Sequence, residues 1–371
     1  MKLCLIYNFA QHYRANIFRL ISEEFDCDFV FGDSMSDVKK MAYSILRGNI
    51  TETHTKRLAG GWYYQPKVIS KLFENYSHYI LLGETRAVST WMFCLIARII
   101  FPKKKVYFWS HGWYGKESHL EKIIKKILFH LPNGGIFLYG NYARELMIKE
   151  GLDADKLFVI HNSLAYDKQI EIRKKISSSG VYHNHFGNDN KNLIFIGRLT
   201  KVKRIDLLVH ALAMLKEQGQ EYNLTLVGDG VEKTSLQNLV NSQNLQKNVW
   251  FYGACYDETE NAQLIYNADL CVSPGNVGLT AIHSMIFGCP VITHNDFKWQ
   301  MPEFEVIRPN ITGDFFERGS VESLAEVISC WQKKHGELRE VVRQACFNEI
   351  DTQWTPQFQM EVIRKHLQMA E

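Results

Sequence analysis

The second half of the chain alternates short apolar runs with segments of helical periodicity. The apolar runs predict strands over 192–197, 223–228, 249–253, 268–274 and 290–294, and the segments between them predict helices near 204–218, 233–242, 258–266 and 278–287. This alternation is typical of a parallel sheet covered by helices on both faces. It predicts a doubly wound α/β domain over residues 192–350.

The first half shows a similar but less regular pattern. It predicts strands over 2–9, 27–32, 78–83, 105–110, 135–140 and 156–164, a helix over 17–24 and a buried helix over 88–100. We interpret residues 1–175 as a second Rossmann-like domain. The polar, aperiodic segment 176–191 is interpreted as a linker, and 351–371 as a helix that crosses back to the first domain.

Length and composition agree with two cytoplasmic domains. A chain of 371 residues with 46% apolar content exceeds one ordinary core. Its eight cysteines form no Cys-x-x-Cys pair, so we expect reduced core residues. The start of the chain lacks the pattern of a signal peptide, and the most apolar stretch, 90–101, is too short to span a bilayer.

Charge is distributed unevenly along the chain. Residues 1–180 carry 26 Lys and Arg against 17 Asp and Glu, whereas 181–371 carry 17 against 23. Residues 119–131 form a basic amphipathic pattern next to the Lys-Lys-Lys run at 103–105. This pattern fits an ordinary surface helix, and it also fits peripheral contact with an anionic membrane.

The loops that follow the strands of the second half carry the candidate chemistry. Arg198 and Lys203 follow the strand at 192–197, and two cations at a strand end suit a departing diphosphate. Glycine-containing turns follow the next two strands, and Gly275 and Gly278 precede a helix whose free N–H groups are suited to phosphate oxygens.

Taken in order, GRLTKVK, VGDG, FYG, ADLCVSPGNVGL, HSMIFGCPVI and ITGDFF resemble the donor half of the retaining GT-B glycosyltransferases of family four, the glycosyl transferases group 1. The resemblance covers about 192–320 well and 1–165 loosely. It implies two Rossmann-like, doubly wound domains that face each other across a cleft. It also implies transfer of a sugar from a nucleotide-diphosphate sugar to a saccharide or lipid-linked acceptor in cell-surface polysaccharide synthesis, with no metal or other cofactor.

The resemblance assigns a role to individual residues. Arg198 and Lys203 would bind the donor diphosphate, helped by the helix start at Gly278 and Leu279, while main-chain atoms of 253–255 would hold the base. The full donor set is Gly197, Gly228, Gly253, Ala254, Cys255, Gly275, Asn276, Val277, Gly278, Leu279, His283, Glu303 and Glu305.

The sequence departs from the family at one motif. The family's mark is a Glu, seven residues and a second Glu, which contact the donor sugar and the ribose, but Gly275 and His283 stand at these positions. An imidazole can still hydrogen-bond one ribose hydroxyl. Glu303 or Glu305 is the candidate for supplying the missing carboxylate.

The first half contributes candidates for the acceptor side. His111, in the Ser-His-Gly that follows the strand at 105–110, resembles the family's cleft histidine and would orient the donor sugar. His12, Tyr13 and Arg14 replace a Gly-rich loop, and Arg14 is a candidate contact for an acceptor phosphate.

Other function classes are disfavoured. The Asp26–Asp28 pair has an Asp-x-Asp form but opens a predicted core strand, so no metal site is expected, and no Gly-x-Gly-x-x-Gly follows the first strand. No nucleic-acid partner is predicted. The remaining rivals are a sugar-nucleotide epimerase or phosphorylase on the same scaffold, and a non-catalytic GT-B protein that binds nucleotide sugars.

Overall fold

The computed structural model describes residues 1–33 and 38–368 and contains two compact units. The first comprises Met1–Ala165 and the segment from Thr355 onward, and the second comprises Tyr166–Trp354. The boundary thus lies ten residues earlier than the predicted end of the first domain at 175.

The predicted linker at 176–191 is part of the second unit. Tyr182 in this polar segment is buried, and its hydroxyl donates to the Leu264 carbonyl at 2.6 Å. Sequence periodicity could not reveal this anchor, because a single aromatic side chain in a short helix produces no repeat.

The first unit is built on a parallel sheet of seven strands in the order β3-β2-β1-β6-β7-β8-β9. Its strands are β1 Lys2–Tyr7, β2 Asp26–Gly32, β3 Ile50–Thr53, the small antiparallel pair β4 Lys56–Arg57 and β5 Tyr63–Tyr64, β6 His78–Leu82, β7 Lys105–Ser110, β8 Gly135–Leu138 and β9 Leu157–Val159. Its first helices are α1 Ala15–Glu24, α2 Lys67–Ser70, α3 Val88–Ile100, α4 His119–Phe129 and α5 Asn141–Lys149.

The second unit is built on a parallel sheet of six strands in the order β12-β11-β10-β13-β14-β15. The strands are β10 Lys191–Ile196, β11 Tyr222–Val227, β12 Val249–Gly253, β13 Leu270–Ser273, β14 Val291–His294 and β15 Gly313–Phe316. The helices are α6 Tyr166–Arg173, α7 Val181–Phe186, α8 Ile205–Glu217, α9 Lys233–Ser242, α10 Glu258–Asn267, α11 Thr280–Ile286, α12 Val321–His335 and α13 Arg339–Gln353.

The predicted helix over 351–371 is two elements. Helix α13 ends at Gln353, and α14, Pro356–Gln368, begins at a proline, which has no N–H to continue the preceding helix. Helix α14 packs on α1 within the first unit. The buried Gln359 ties it to the sheet, since its amide donates to the His161 carbonyl at 2.8 Å and accepts from Ser163 Oγ at 2.6 Å. Residues 369–371 lie outside the described chain.

The first sheet has an apolar core on each face, because successive strand residues point to opposite sides. Leu3 and Leu5 of β1 pack in a cluster with Phe18 of α1, whereas Cys4 and Ile6 pack in a second cluster that includes residues of α3 and α4. A strand buried on both faces reads as a continuous apolar run, and for this reason β1 is visible in the sequence.

Two expectations about burial were wrong in part. The pattern predicts a buried helix α3, but its residues Leu95, Ile99 and Ile100 are exposed. All eight cysteines are free, yet Cys330 is exposed and Cys255 half-buried rather than in a core. Within residues 1–33 and 38–368, no helix combines the length and apolarity needed to cross a membrane.

Candidate functional site

Glycine turns lie side by side at the carboxyl edge of the second sheet. The Gly197 N–H donates to the Val227 carbonyl at 2.9 Å, and the Gly228 N–H donates to the Gly253 carbonyl at 2.8 Å. A Cβ on Gly228 would lie 1.9 Å from the Gly197 oxygen, so only glycine allows these turns to approach. The edge therefore presents main chain, including the exposed Ala254, to a ligand.

The structure brings the two predicted cations together at this edge. Arg198 is exposed and Lys203 is half-buried, and the charge of Arg198 acts on Lys203. The Lys203 ammonium donates to the Asn276 carbonyl at 2.6 Å, which ties the loop after β10 to the loop after β13.

Lys203 is electrostatically poised. Burial lowers the pKa of Lys203 to about 8; Glu303 opposes this shift and Arg198 adds to it. Glu303 is only 1% exposed. Glu303, one of the two candidate donor contacts, lies close enough to Lys203 to act on its charge. Glu305, the other candidate, is half-buried on the same short 3-10 helix, Pro302–Val306.

The missing first carboxylate has a steric explanation. The Gly275 N–H donates to the Lys203 carbonyl at 2.9 Å, and a Cβ on Gly275 would lie 2.0 Å from the Val202 oxygen. No side chain fits there without displacing the loop that carries Lys203. The main chain just after Gly275 is also held in place, because the Val277 N–H donates to the Gln300 amide oxygen at 2.9 Å.

Helix α11 begins later than predicted. It starts at Thr280 rather than Gly278 and has only seven residues, so the partial positive charge at its N-terminus is weak. Thr280 Oγ1 donates to the Ile196 carbonyl at 3.1 Å and fixes the helix start beside the end of β10. Gly278 and Leu279 are half-buried in the turn before it.

At the position of the second missing carboxylate, His283 is paired with an acidic side chain of another helix. Nε2 of His283 lies 3.0 Å from Oε1 of Glu258, which also accepts from the Gln169 amide at 2.7 Å. Burial disfavours the Glu258 carboxylate, but the hydrogen bonds from His283 and Gln169 and the charge of Lys168 outweigh it, so the Glu258 pKa lies below its usual value. A negative charge is thus present beside His283.

Sequence reasoning missed Glu258. Its only local signal is the helix start, where the Asp257 carboxylate accepts from the Thr259 and Glu260 N–H groups at 2.8 and 2.9 Å. Nothing in the sequence relates it to His283, which lies on another helix.

The first unit contains a pocket of about 360 Å³ at the carboxyl ends of β1, β6 and β7. Arg14, Tyr13 and His111 line it, whereas His12 does not. His12 is exposed, and its ring nitrogen lies 3.2 Å from the Lys39 carbonyl. The structure therefore joins three of the four predicted residues of the first unit.

His111 is held neutral in this pocket. Burial, together with the charges of Arg14 and Lys125, lowers the pKa of His111 to about 3. Its ring centroid lies 4.7 Å from that of Tyr139. A neutral imidazole can donate to or accept from a sugar hydroxyl at any ordinary pH.

Asp28 has a structural role. Its carboxylate accepts from the Asn49 N–H at 2.7 Å and the Tyr76 hydroxyl at 2.7 Å, and Lys2 lies at 3.3 Å. In the part of the chain that the structure describes, no three His, Cys, Asp or Glu side chains form a group suited to a metal ion.

Known proteins match both the second unit and the fold. A family model described as glycosyl transferases group 1 matches residues 183–347. The chain is 25% identical over 248 residues to an uncharacterised 41.2 kDa protein in the cps region of Klebsiella pneumoniae. That match covers 64% of this chain and 60% of the relative, so the chain spans under two thirds of that relative's length.

Two solved structures resemble the whole chain. Anabaena Alr3699/HepE in complex with UDP has a TM-score of 0.74 at 15% identity, with 100% of both chains covered. The apo form of the lipopolysaccharide outer core galactosyltransferase WaaB has a TM-score of 0.72 at 14% identity, again with 100% of both chains covered. The chain thus has the two-domain α/β fold of the GT-B glycosyltransferases, and its second unit carries the match to glycosyl transferases group 1.

Proposed function

We propose that this chain is a retaining, metal-independent glycosyltransferase. It transfers a sugar from a nucleotide-diphosphate sugar, bound by the second unit, to a saccharide or lipid-linked saccharide in cell-surface polysaccharide synthesis. The cps region named for the Klebsiella relative, and the lipopolysaccharide named for WaaB, support this setting. Retention is proposed from the family resemblance.

The pairing of Arg198 with Lys203 beside the glycine turns carries this proposal. An acceptor hydroxyl attacks the anomeric carbon, the bond from that carbon to the diphosphate oxygen breaks, and the leaving diphosphate takes the hydroxyl proton. Negative charge then accumulates on the diphosphate, and two cations at the strand end stabilise it. They supply the role that a divalent ion has in metal-dependent transfer.

The nucleoside has its own candidate contacts. The exposed main chain around Ala254 is proposed to hold the base, and the His283–Glu258 pair is proposed to meet the ribose. In the family, a carboxylate at the position of His283 accepts from a ribose hydroxyl. Here the ionised Glu258 would supply that hydrogen-bond acceptor.

Replacing Arg198 or Lys203 with Ala should lower turnover of nucleotide-sugar donors by about a hundredfold or more, because each removes charge stabilisation of the leaving group. The matched control is Lys201→Ala, an exposed cation of the same loop, which should stay near wild type. Release of nucleoside diphosphate in the presence of acceptor measures the effect. Near-normal transfer by the double variant Arg198→Ala/Lys203→Ala would refute the donor-site assignment.

The pH dependence of nucleotide binding gives a separate test. The Lys203 pKa of about 8 means that its charge is present below pH 8 and is lost above it. The terminal phosphate of UDP is already ionised above pH 7.5, so its charge changes little at higher pH. We therefore expect the affinity for UDP to fall by about tenfold between pH 7.5 and 9.5 as Lys203 loses its proton. The variant Lys203→Arg keeps its charge and should not show this decline. An identical pH profile for the wild type and Lys203→Arg would contradict the role of Lys203.

A surface of the first unit supports a location at the cytoplasmic face of an anionic membrane. Helices α3 and α4 share one core cluster beneath, but Ile99, Leu120 and Ile127 on their outer side are 77, 66 and 54% exposed. The amphipathic pattern of 119–131 predicts one apolar face, but in the structure Leu128 is buried while Leu120 and Ile127 are exposed. Exposed apolar side chains beside the lysines of 103–105 suit a bilayer surface with anionic headgroups.

Leu120→Gln/Ile127→Gln should weaken binding to vesicles of 30% phosphatidylglycerol in phosphatidylcholine by about tenfold or more, because each buried side chain contributes about 1.5 kcal/mol or more. The control pair Leu338→Gln/Val341→Gln alters exposed apolar residues of the second unit and should bind as wild type. Co-sedimentation measures both. Equal binding by the two pairs, or no binding by the wild type, would rule out this surface.

A further inference from the structure

The pocket of the first unit contains a buried cation without a counter-ion. Arg14 is 6% exposed, and among the described residues no ion pair includes it. Its Nε and Nη1 atoms have no hydrogen-bond partner within the described chain. The guanidinium carbon lies 5.1 Å from the ring centroid of Tyr139 and 5.3 Å from that of Tyr7.

Burying a guanidinium with two of its nitrogens unbonded is costly, because the hydrogen bond to Tyr139 replaces only part of its lost hydration. Aromatic faces recover only part of this cost. Burial lowers the pKa of Arg14, but Tyr139, Tyr7 and Tyr13 outweigh burial and raise it above its usual value, so Arg14 stays charged. A fold that retains this arrangement has a cation available for a ligand.

In the described chain, none of the other charged groups that line the pocket forms an ion pair with Arg14. Lys125 lies 2.6 Å from the Glu117 carboxylate, so the second cation is neutralised. His111 is neutral, with its pKa at about 3. Glu84 lines the pocket as well, and its carboxylate accepts from the Tyr63 hydroxyl at 2.9 Å.

These groups define the chemistry of the ligand. A guanidinium binds a carboxylate or phosphate through paired hydrogen bonds. The Glu84 carboxylate and the imidazole of His111 suit sugar hydroxyls, and the rings of Tyr13 and Tyr114 supply apolar faces for a sugar ring. A cavity of about 360 Å³ accommodates a single monosaccharide unit.

We propose that this pocket binds an anionic sugar unit of the acceptor, with its carboxylate or phosphate group on Arg14. The proposal rests on the proposed glycosyltransferase function and deepens it, since it makes the acceptor an acidic saccharide rather than a neutral one.

Calorimetric titration of the full chain tests the proposal with methyl glucuronoside, glucose 6-phosphate and methyl glucoside as probes. The wild type should bind at least one anionic probe about tenfold or more tightly than the neutral glycoside. The first two probes distinguish a carboxylate from a phosphate. Arg14→Gln should abolish this preference, whereas Arg19→Gln, a substitution within α1 and outside the pocket, should retain it.

Titration of UDP into the same variants measures the donor site separately from the pocket of the first unit. Arg14→Gln should bind UDP as the wild type does. A wild type that binds none of UDP, ADP, GDP and dTDP would instead contradict the proposed function. If Arg14→Gln does not fold, salt decides the question on the wild type, since the affinity for anionic probes should fall with added NaCl while that for methyl glucoside should not. Equal affinity for the neutral and anionic probes, or a preference that survives in Arg14→Gln, overturns the proposal.

Discussion

The site in the second unit depends on a close main-chain contact between Gly275 and Val202. A Cβ at position 275 would lie 2.0 Å from the Val202 oxygen, so the loop after β10 can occupy this place only because glycine is present. Because of this contact, the Lys203 ammonium lies 2.6 Å from the Asn276 carbonyl oxygen and close to Arg198. The same glycine that builds the paired cations therefore excludes the first carboxylate of the family motif.

Two carboxylates lie near this edge, although both positions of the family motif lack one. Glu303 acts on Lys203 from a short 3-10 helix, and Glu258 lies beside His283 from the first position of α10. Electrostatic function depends on where charges lie rather than on which strand or helix supplies them. We propose that these two carboxylates compensate for the degenerate motif, and the intact pair of cations supports a catalytic rather than a non-catalytic protein.

Periodicity predicted the inner strands of both sheets, because strands buried on both faces appear as apolar runs, and β7, α3, α9 and β12 have the predicted bounds. It missed the edge strands β3 and β15, which have four residues each. It failed where one side chain sets the structure, as Tyr182 does in the segment taken for a linker. Arg198 and Lys203 could be predicted from the sequence, because they lie in the loop that follows a strand. The partnership of Glu258 with His283 did not, since it joins helices 25 residues apart and leaves no local pattern. Likewise the sequence marked Arg14 but not its lack of a counter-ion.

Hydrogen exchange of the full chain with and without UDP tests most directly whether the glycine-rich edge of the second unit binds a nucleoside diphosphate. Main-chain N–H groups of 197–203, 253–255 and 275–283 should exchange more slowly with UDP, while those around the pocket of the first unit should not change. UMP, which lacks the second phosphate, should protect 253–255 but leave 197–203 close to the free protein. Protection confined to the first unit, or equal protection of 197–203 by UMP and UDP, would contradict a diphosphate site built on Arg198 and Lys203.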